Sequence, residues 1–238
     1  MVDLQRNHIF AMLPASVQHR LGGDASVVSV TTGEVIAEPG EQIVEATFPL
    51  DSVFSLDQIV SDDVENYAAT PGVALVGNEG MIGIEAVFGA KEWINRATVR
   101  IGGDMLRINH TALLTEFSRA GVFQRLVLSS ADSLIAQCCA IGACERVHSI
   151  RQRLIRWLLM FDDRMPNRDL GVTQAALSQL IGVRRASVSE AASGLQAQEF
   201  IAYQRGHIKI VDREGLEAGA CRCYREIKRR SLSRQRGD

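Results

Sequence analysis

Gly182 stands between two stretches whose apolar residues recur at helical spacing, and that arrangement leaves few folds open. Upstream, Thr173 is placed to cap a helix over residues 174–181, with Leu177, Leu180 and Ile181 facing inward. Downstream, a second helix is expected from Arg184 or Arg185 to about Gln198, with Val188, Ala191 and Leu195 inward. A tight corner between two helices wants a residue that takes positive φ, which is glycine. The small residues Ser178 and Ala191 would let the two helices approach closely. Residues 200–203 and 207–210 flank Gln204-Arg205-Gly206 and read as strand, turn, strand. Residues 173–210 therefore read as a winged helix-turn-helix.

The polar face of the second helix carries Arg184, Arg185, Ser187, Ser189 and Glu190. Those groups suit the major groove of duplex DNA: Arg pairs bidentately with guanine, Glu accepts from cytosine N4, and hydroxyls serve phosphate or base. Arg205 and Lys209 in the wing, with Thr173 at the cap, would hold the backbone. Charge is segregated in the same sense. Residues 1–145 hold 8 cationic and 18 acidic side chains, a net of −10, whereas residues 146–238 hold 18 and 10, a net of +8. Cationic surface that displaces counterions supplies most nonspecific DNA affinity. The plainer alternative for the charge alone is a solvated basic tail over residues 225–236.

The rest of the chain has a different texture. Between residues 27 and 108, short apolar runs alternate with turn residues, at 27–30, 42–48, 52–59, 73–76, 97–101 and 105–108. That spacing predicts a β barrel or jelly roll, preceded by short helices over residues 9–21. From 122 to 161 there is no proline, and Leu128, Ile135 and Cys138 align on one helical line with Leu134 and Ile141 on the next. Ser149 with Gln152 fits a capping box, so a first helix ends near Val147 and a second begins at 150. The first would be a rod of roughly 40 Å, a length used to cross between domains or to pair with a copy of itself. In the second, Ile150, Leu154, Trp157, Leu158 and Phe161 form a stripe suited to packing on a neighbouring domain, and residues 162–167 read as a loop. The fold class is α+β, with a β-roll domain at 1–121, a dimerisation helix and hinge at 122–148, and a DNA-binding domain at 149–238.

Hydrophobic residues make up 46% of the chain, ample for real cores, yet no stretch reads as 18 or more uncharged apolar residues, and the start lacks a secretory pattern. The expectation is a cytoplasmic protein with no membrane partner. Five cysteines at 138, 139, 144, 221 and 223 form no disulfide framework, and the pairs 138–139 and 221–223 look too tight and too poor in histidine partners for zinc. No metal, cofactor or catalytic group is expected.

Several runs carry a family resemblance: Glu79-Gly80-Met81-Ile82-Gly83, Cys144-Glu145-Arg146-Val147-His148-Ser149, Arg156-Trp157-Leu158-Leu159-Met160 and Gly182-Val183-Arg184-Arg185-Ala186-Ser187-Val188. With the order of elements, they make the chain resemble the Crp/Fnr superfamily of bacterial transcription regulators over nearly its whole length. The resemblance implies a cyclic-nucleotide-binding-type jelly roll, a dimerisation helix and a winged helix-turn-helix. It implies a homodimer on duplex DNA, with RNA polymerase as a further partner in the case of an activator.

The expected effector pocket comprises Gly83, Glu85, Arg96, Thr98, Cys138 and Cys139. Nucleotide-binding members of the superfamily place Glu directly after Gly and Ser or Thr directly after Arg. Here Ile84 intervenes before Glu85 and Ala97 before Thr98, so a small-molecule effector is left unidentified and Arg96 reads more simply as one half of a local ion pair. No cysteine precedes Cys138, against an N-terminal iron–sulfur cluster, and the five histidines form no haem-ligand pattern. A cyclic nucleotide and thiol-based sensing through Cys138 are the alternative signals, the latter with a small apolar packing role for Cys138 as its plainer counterpart. Two other classes stay open: a ligand-binding module making protein contacts, and a cupin-type enzyme, which lacks any histidine between residues 27 and 108 to hold its metal.

Overall fold

In the computed structural model, which describes residues 4–23, 25–60, 70–165, 169–204 and 207–235, two short helices precede the first strand, as the spacing predicts. These are α1 (His8–Ala11) and α2 (Ala15–Gly22). Asn7, fully buried, fixes their entry. Its Oδ1 accepts from the backbone N–H of Ile9 and Phe10, and its Nδ2 donates to the carbonyls of Pro49 and Gly80 at 2.9 and 3.0 Å. A buried amide is tolerated when its polar atoms are satisfied in this way.

The chain divides into two compact units, one taking in Met1–Phe54 and Val76–Ile135, the other Ser55–Leu75 and Ala136–Ser233. In the first, β1 (Ala25–Val30), β7 (Gly103–Asn109) and β3 (Glu45–Pro49) form an antiparallel sheet in the order β1-β7-β3, with Ala25 opposite Ile108 and Glu45 opposite Asn109. A second sheet has the order β2-β6-β4-β5, from β2 (Val35–Ala37), β4 (Val53–Asp57), β5 (Gly72–Val76) and β6 (Arg96–Ile101), of which β5 falls almost wholly in the second unit. The sheets are open, not a closed barrel. Each of the six expected runs contains a strand; β2 was not foreseen, because three residues are too few to show a period.

The core of this unit is Ile9, Phe10, Phe48, Leu50, Leu106, Ile108 and Leu113, joined by Phe123 and Val127. Phe10 and Phe48 meet edge to face at 5.1 Å. Helix α3 (His110–Phe117), capped by the Asn109 side chain, is a further element the spacing did not announce.

Helix α4 (Val122–Val147) runs 26 residues with the predicted ends. Phe123, Val127 and Ala131 are buried, whereas Leu128 and Ile135 are 43% and 58% exposed. Part of α4 has mean hydropathy 1.5 with at most two charges over 18 residues, so by length and composition it could cross a membrane. The expectation itself stands, since Arg125, Asp132 and Glu145 break up any run of 18 uncharged residues in this helix. The serines, Asp132 and Gln137 scattered along it hide an apolar average.

The second unit is built around α5 (Ile150–Asp162), whose predicted capping box is present between Ser149 and Gln152. The expected apolar stripe understates its burial, since every residue from Leu154 to Asp162 is buried. The surrounding elements are α6 (Gln174–Ile181), α7 (Arg185–Ala197), α8 (Arg213–Gly219) and β8 (Asp169–Thr173). Gly72 at the start of β5 belongs here: a Cβ on it would lie 2.6 Å from Leu180 and 2.9 Å from Trp157, so only glycine lets the strand approach. The chain closes with α9 (Arg222–Gln235), where a solvated basic tail was the alternative; Tyr224 and Ile227 anchor it in the core.

Candidate nucleic-acid interface

Thr173 ends β8 and caps α6, its Oγ1 accepting from Ala176 N–H at 3.1 Å. Leu177, Leu180 and Ile181 are buried as expected. Gly182 then takes φ +69°, the left-handed conformation the corner requires, and its N–H returns to Gln179 O at 3.0 Å. Arg184 is the N-cap residue of α7, with extended backbone and no side-chain cap bond. Helix α7 buries Val188, Ala192 and Leu195. The expected Ala191 is only half-buried. At 3.6 residues per turn the third and fourth residues after Val188 both neighbour it, and here the fourth faces inward.

The outer face is built from the expected side chains. Arg184, Arg185 and Glu190 are exposed, and Ser187 and Ser189 are half-buried. Neither arginine has an ion-pair partner among the described residues, so both guanidiniums are available to an outside anion. They line an open concavity of about 400 Å³ with Ala175, Ser178 and Gln179. Gln179 is an exposed polar group that sequence reasoning passed over; its place three residues before Gly182, on the helix that abuts the arginines, was the available signal.

The wing consists of β9 (Ile201–Gln204) and β10 (His207–Ile210), antiparallel with His207 opposite Gln204 and Ile210 opposite Ile201. Lys209 is exposed on β10, also without an ion-pair partner among the described residues. Arg205, the other expected backbone contact, lies outside the described residues. Strand β8, not foreseen, pairs with β10 to give the order β8-β10-β9. Gln174 Nε2 donates to Tyr203 Oη at 2.6 Å, joining the first turn of α6 to the wing.

The expected effector residues are less coherent. In the first unit, Arg96 Nε donates to Glu38 Oε2 at 2.9 Å, the local ion pair that the displaced motif suggested. Glu85 is half-buried, with its carboxyl pushed up by burial and held by its own backbone N–H. Thr98 is buried on β6 opposite Val35, and Gly83 precedes a short 3-10 turn, Ile84–Phe88. No hydrogen bond or ion pair joins Glu85 to Arg96 among the described residues. A concavity of about 560 Å³ in the same unit is lined by Arg20, Asn109, Thr111, Thr115, Glu116 and Arg119, none of them an expected pocket residue. On α4, Cys139 is exposed and Cys138 half-buried, and burial pushes the Cys138 thiol up to about 11. A thiol that stays protonated at neutral pH is a poor nucleophile, which disfavours Cys138 as a redox sensor.

In the second unit the structure gathers four side chains that spacing alone did not connect: Cys144, His148, Cys221 and Cys223. The tight 221–223 pair does have a histidine partner and a third thiol; both come from the end of α4. The sequence judged each cysteine pair by its own neighbours, and that was the wrong comparison.

Residues 152–218 match the model of the Crp-like helix-turn-helix domain. The chain carries a Crp-like DNA-binding domain on the Crp/Fnr fold. The Crp/Fnr fold extends beyond that segment, as solved structures show. FixK2 from Bradyrhizobium japonicum superimposes with TM-score 0.69 at 15% identity, over 83% of this chain and 98% of that one. The c-di-GMP-responsive regulator CLP of Xanthomonas campestris gives 0.66 at 14% identity, over 83% and 99%. A CRP-family transcriptional regulator of Thermus thermophilus, TTHB099, gives 0.66 at 18% identity, over 81% and 96%. No curated protein matches the chain by sequence.

Proposed function

We propose that the protein is a cytoplasmic, homodimeric transcription regulator that reads a specific operator through α7 and whose N-terminal domain responds to an unidentified signal. The observation that carries the reading is the pair Arg184 and Arg185, exposed and without ion-pair partners among the described residues, at the N-terminal end of a helix set up by Gly182. Exposed arginines without ion-pair partners at a helix N-terminal end suit base edges and phosphates in the major groove. Ser187, Ser189 and Glu190 continue that face, while Lys209, Arg205 and Thr173 serve the backbone.

The homodimer rests on α4. Leu128, Ile135 and Cys139 are exposed at seven- and four-residue spacing, a pattern that suits the seam of a helix pair. Pairing two copies along this seam would set two recognition helices on half-sites about one DNA turn, roughly 34–36 Å, apart. RNA polymerase is a further partner if the protein activates. Selection of bound duplexes from a random pool tests the reading. A two-fold symmetric consensus, bound with steep salt dependence, supports it; duplex binding with no sequence preference removes the regulator, and no duplex binding leaves a module for protein contacts.

A further inference from the structure

Cys144 and Cys221 are 77 residues apart in sequence, yet their sulfurs lie 3.8 Å apart. Cys223 Sγ is 3.7 Å from His148 Nδ1. The four donor atoms all fall within 4.8 Å of one another, with Cys144 and Cys221 buried and His148 and Cys223 half-buried. The convergence follows from local structure. Residues 144 and 148 are one helical turn apart, and His148 N–H still donates to Cys144 O at 3.0 Å, which carries both side chains to one face of the α4 terminus. Cys221 and Cys223 flank Arg222, where α9 begins.

The donor set has the size and softness of one particular ion. Zinc binds sulfur at about 2.3 Å and nitrogen at about 2.0–2.1 Å, so a tetrahedron around it has edges of roughly 3.6–3.8 Å. Both separations match such edges, and 3.8 Å is far from the roughly 2.05 Å of a disulfide. A two-iron cluster would divide its ligands between two metals, whereas these four crowd around a single point.

The surrounding charge points the same way. Arg156 is fully buried and within hydrogen-bonding reach of the Cys144 thiol. It shares Glu145 with Arg153, at 2.7 and 2.8 Å, so two cations meet one carboxylate and one positive charge is left over. Arg156 Nε has no hydrogen-bond partner among the described residues. Zinc with three thiolates and a neutral imidazole carries one negative charge. That is the charge needed to balance the one positive charge left over in the Arg153–Glu145–Arg156 group beside it.

We propose that Cys144, His148, Cys221 and Cys223 form a structural zinc site that pins the start of α9 to the end of α4. Four protein ligands fill the tetrahedron, leaving no open position for chemistry. The thiols release their protons to solvent as the ion binds. Arg156 supports the site from outside, beside Cys144.

The test uses the full chain, purified with reductant, and two probes: zinc content, and titration of the metal-free protein with Co²⁺. One zinc per chain is expected, and cobalt should give the intense visible bands and thiolate charge-transfer band of a tetrahedral sulfur-rich site. Cys221→Ser should weaken cobalt binding by more than about 100-fold, beyond the cost of losing a supporting contact. Cys139→Ser should leave binding unchanged. Cobalt held equally by wild type and Cys221→Ser, or iron found with inorganic sulfide, overturns the proposal. If Cys221→Ser does not fold, alkylation of the wild type decides. Cys223 should be protected with zinc and react after chelation; Cys223 reactivity indifferent to chelation also overturns it.

Discussion

Arg20 grips both oxygens of Glu116, its Nε donating to Oε2 at 2.8 Å and its Nη2 to Oε1 at 2.7 Å, and so ties α2 to α3. Glu116 is 7% exposed, and the Arg20 hydrogen bonds hold its carboxyl below the usual carboxylate range. A carboxylate depressed in the folded state stabilises fully above its unfolded pKa, about 4.3, and the contribution fades as pH falls through the folded value. Urea unfolding should therefore show wild type more stable than Glu116→Gln at pH 7, with the gap closing as pH drops below about 4. A gap that stays constant down to acid pH would show that the pair contributes packing instead of charge.

Arg185→Ala should cost about 1–3 kcal/mol of discrimination between operator and random duplex while leaving the fold intact. Competition gel shifts measure it. Unchanged discrimination would move base reading to another part of α7.

Lys209→Ala should behave differently. It should weaken binding to every duplex alike and reduce the slope of log affinity against log salt by about one unit. A loss confined to the operator would place Lys209 on a base and not on the backbone.

Gly182→Ala introduces no clash, since a Cβ would stand 3.4 Å from Pro71 Cβ, but φ is +69° there. Forcing an alanine into that conformation should cost about 1–2 kcal/mol, read as a lower urea midpoint at unchanged slope. No loss at all would mean that the corner relaxes by changing φ.

If two copies pair through α4 as proposed, Ile135→Asp should convert dimer to monomer by light scattering and reduce operator affinity, because it puts a charge in that seam. A mutant that remains dimeric would place the subunit contact on another surface.

These predictions draw on features of unequal legibility. The ends of α4 and α6 could be read from sequence because caps and glycine act within a few residues: Thr173, Ser149 and Gly182 each do their work locally. Ala192 could not be distinguished from Ala191, because a helix places both beside Val188 and only the partner helix decides. Strand β8 contains Gly171 and has no period of its own, so it exists through pairing with β10, which lies further along the chain. Helix α9 looks like a charge run until Tyr224 and Ile227 are given a core to enter. The cysteine–histidine cluster was the least legible, since no local window contains both Cys144 and Cys221. On the outer face of α7 the arginines were legible because exposure at a helix end follows from the turn before them.

The glycine at position 72 has a consequence for how this chain could be divided. Its bare Cα lets β5 lie against Trp157 and Leu180, so the unit bearing α7 borrows a strand encoded well before α4. A fragment beginning at residue 136 would contain the whole Crp-like segment, yet it would leave the indole and the leucine uncovered to water. Excising residues 136–238 from their sequence neighbours is thus expected to yield an aggregating product, and supplying residues 55–75 in trans should restore its solubility. What looks in sequence like a modular tail is, in physical terms, a body completed from two distant places in the gene product.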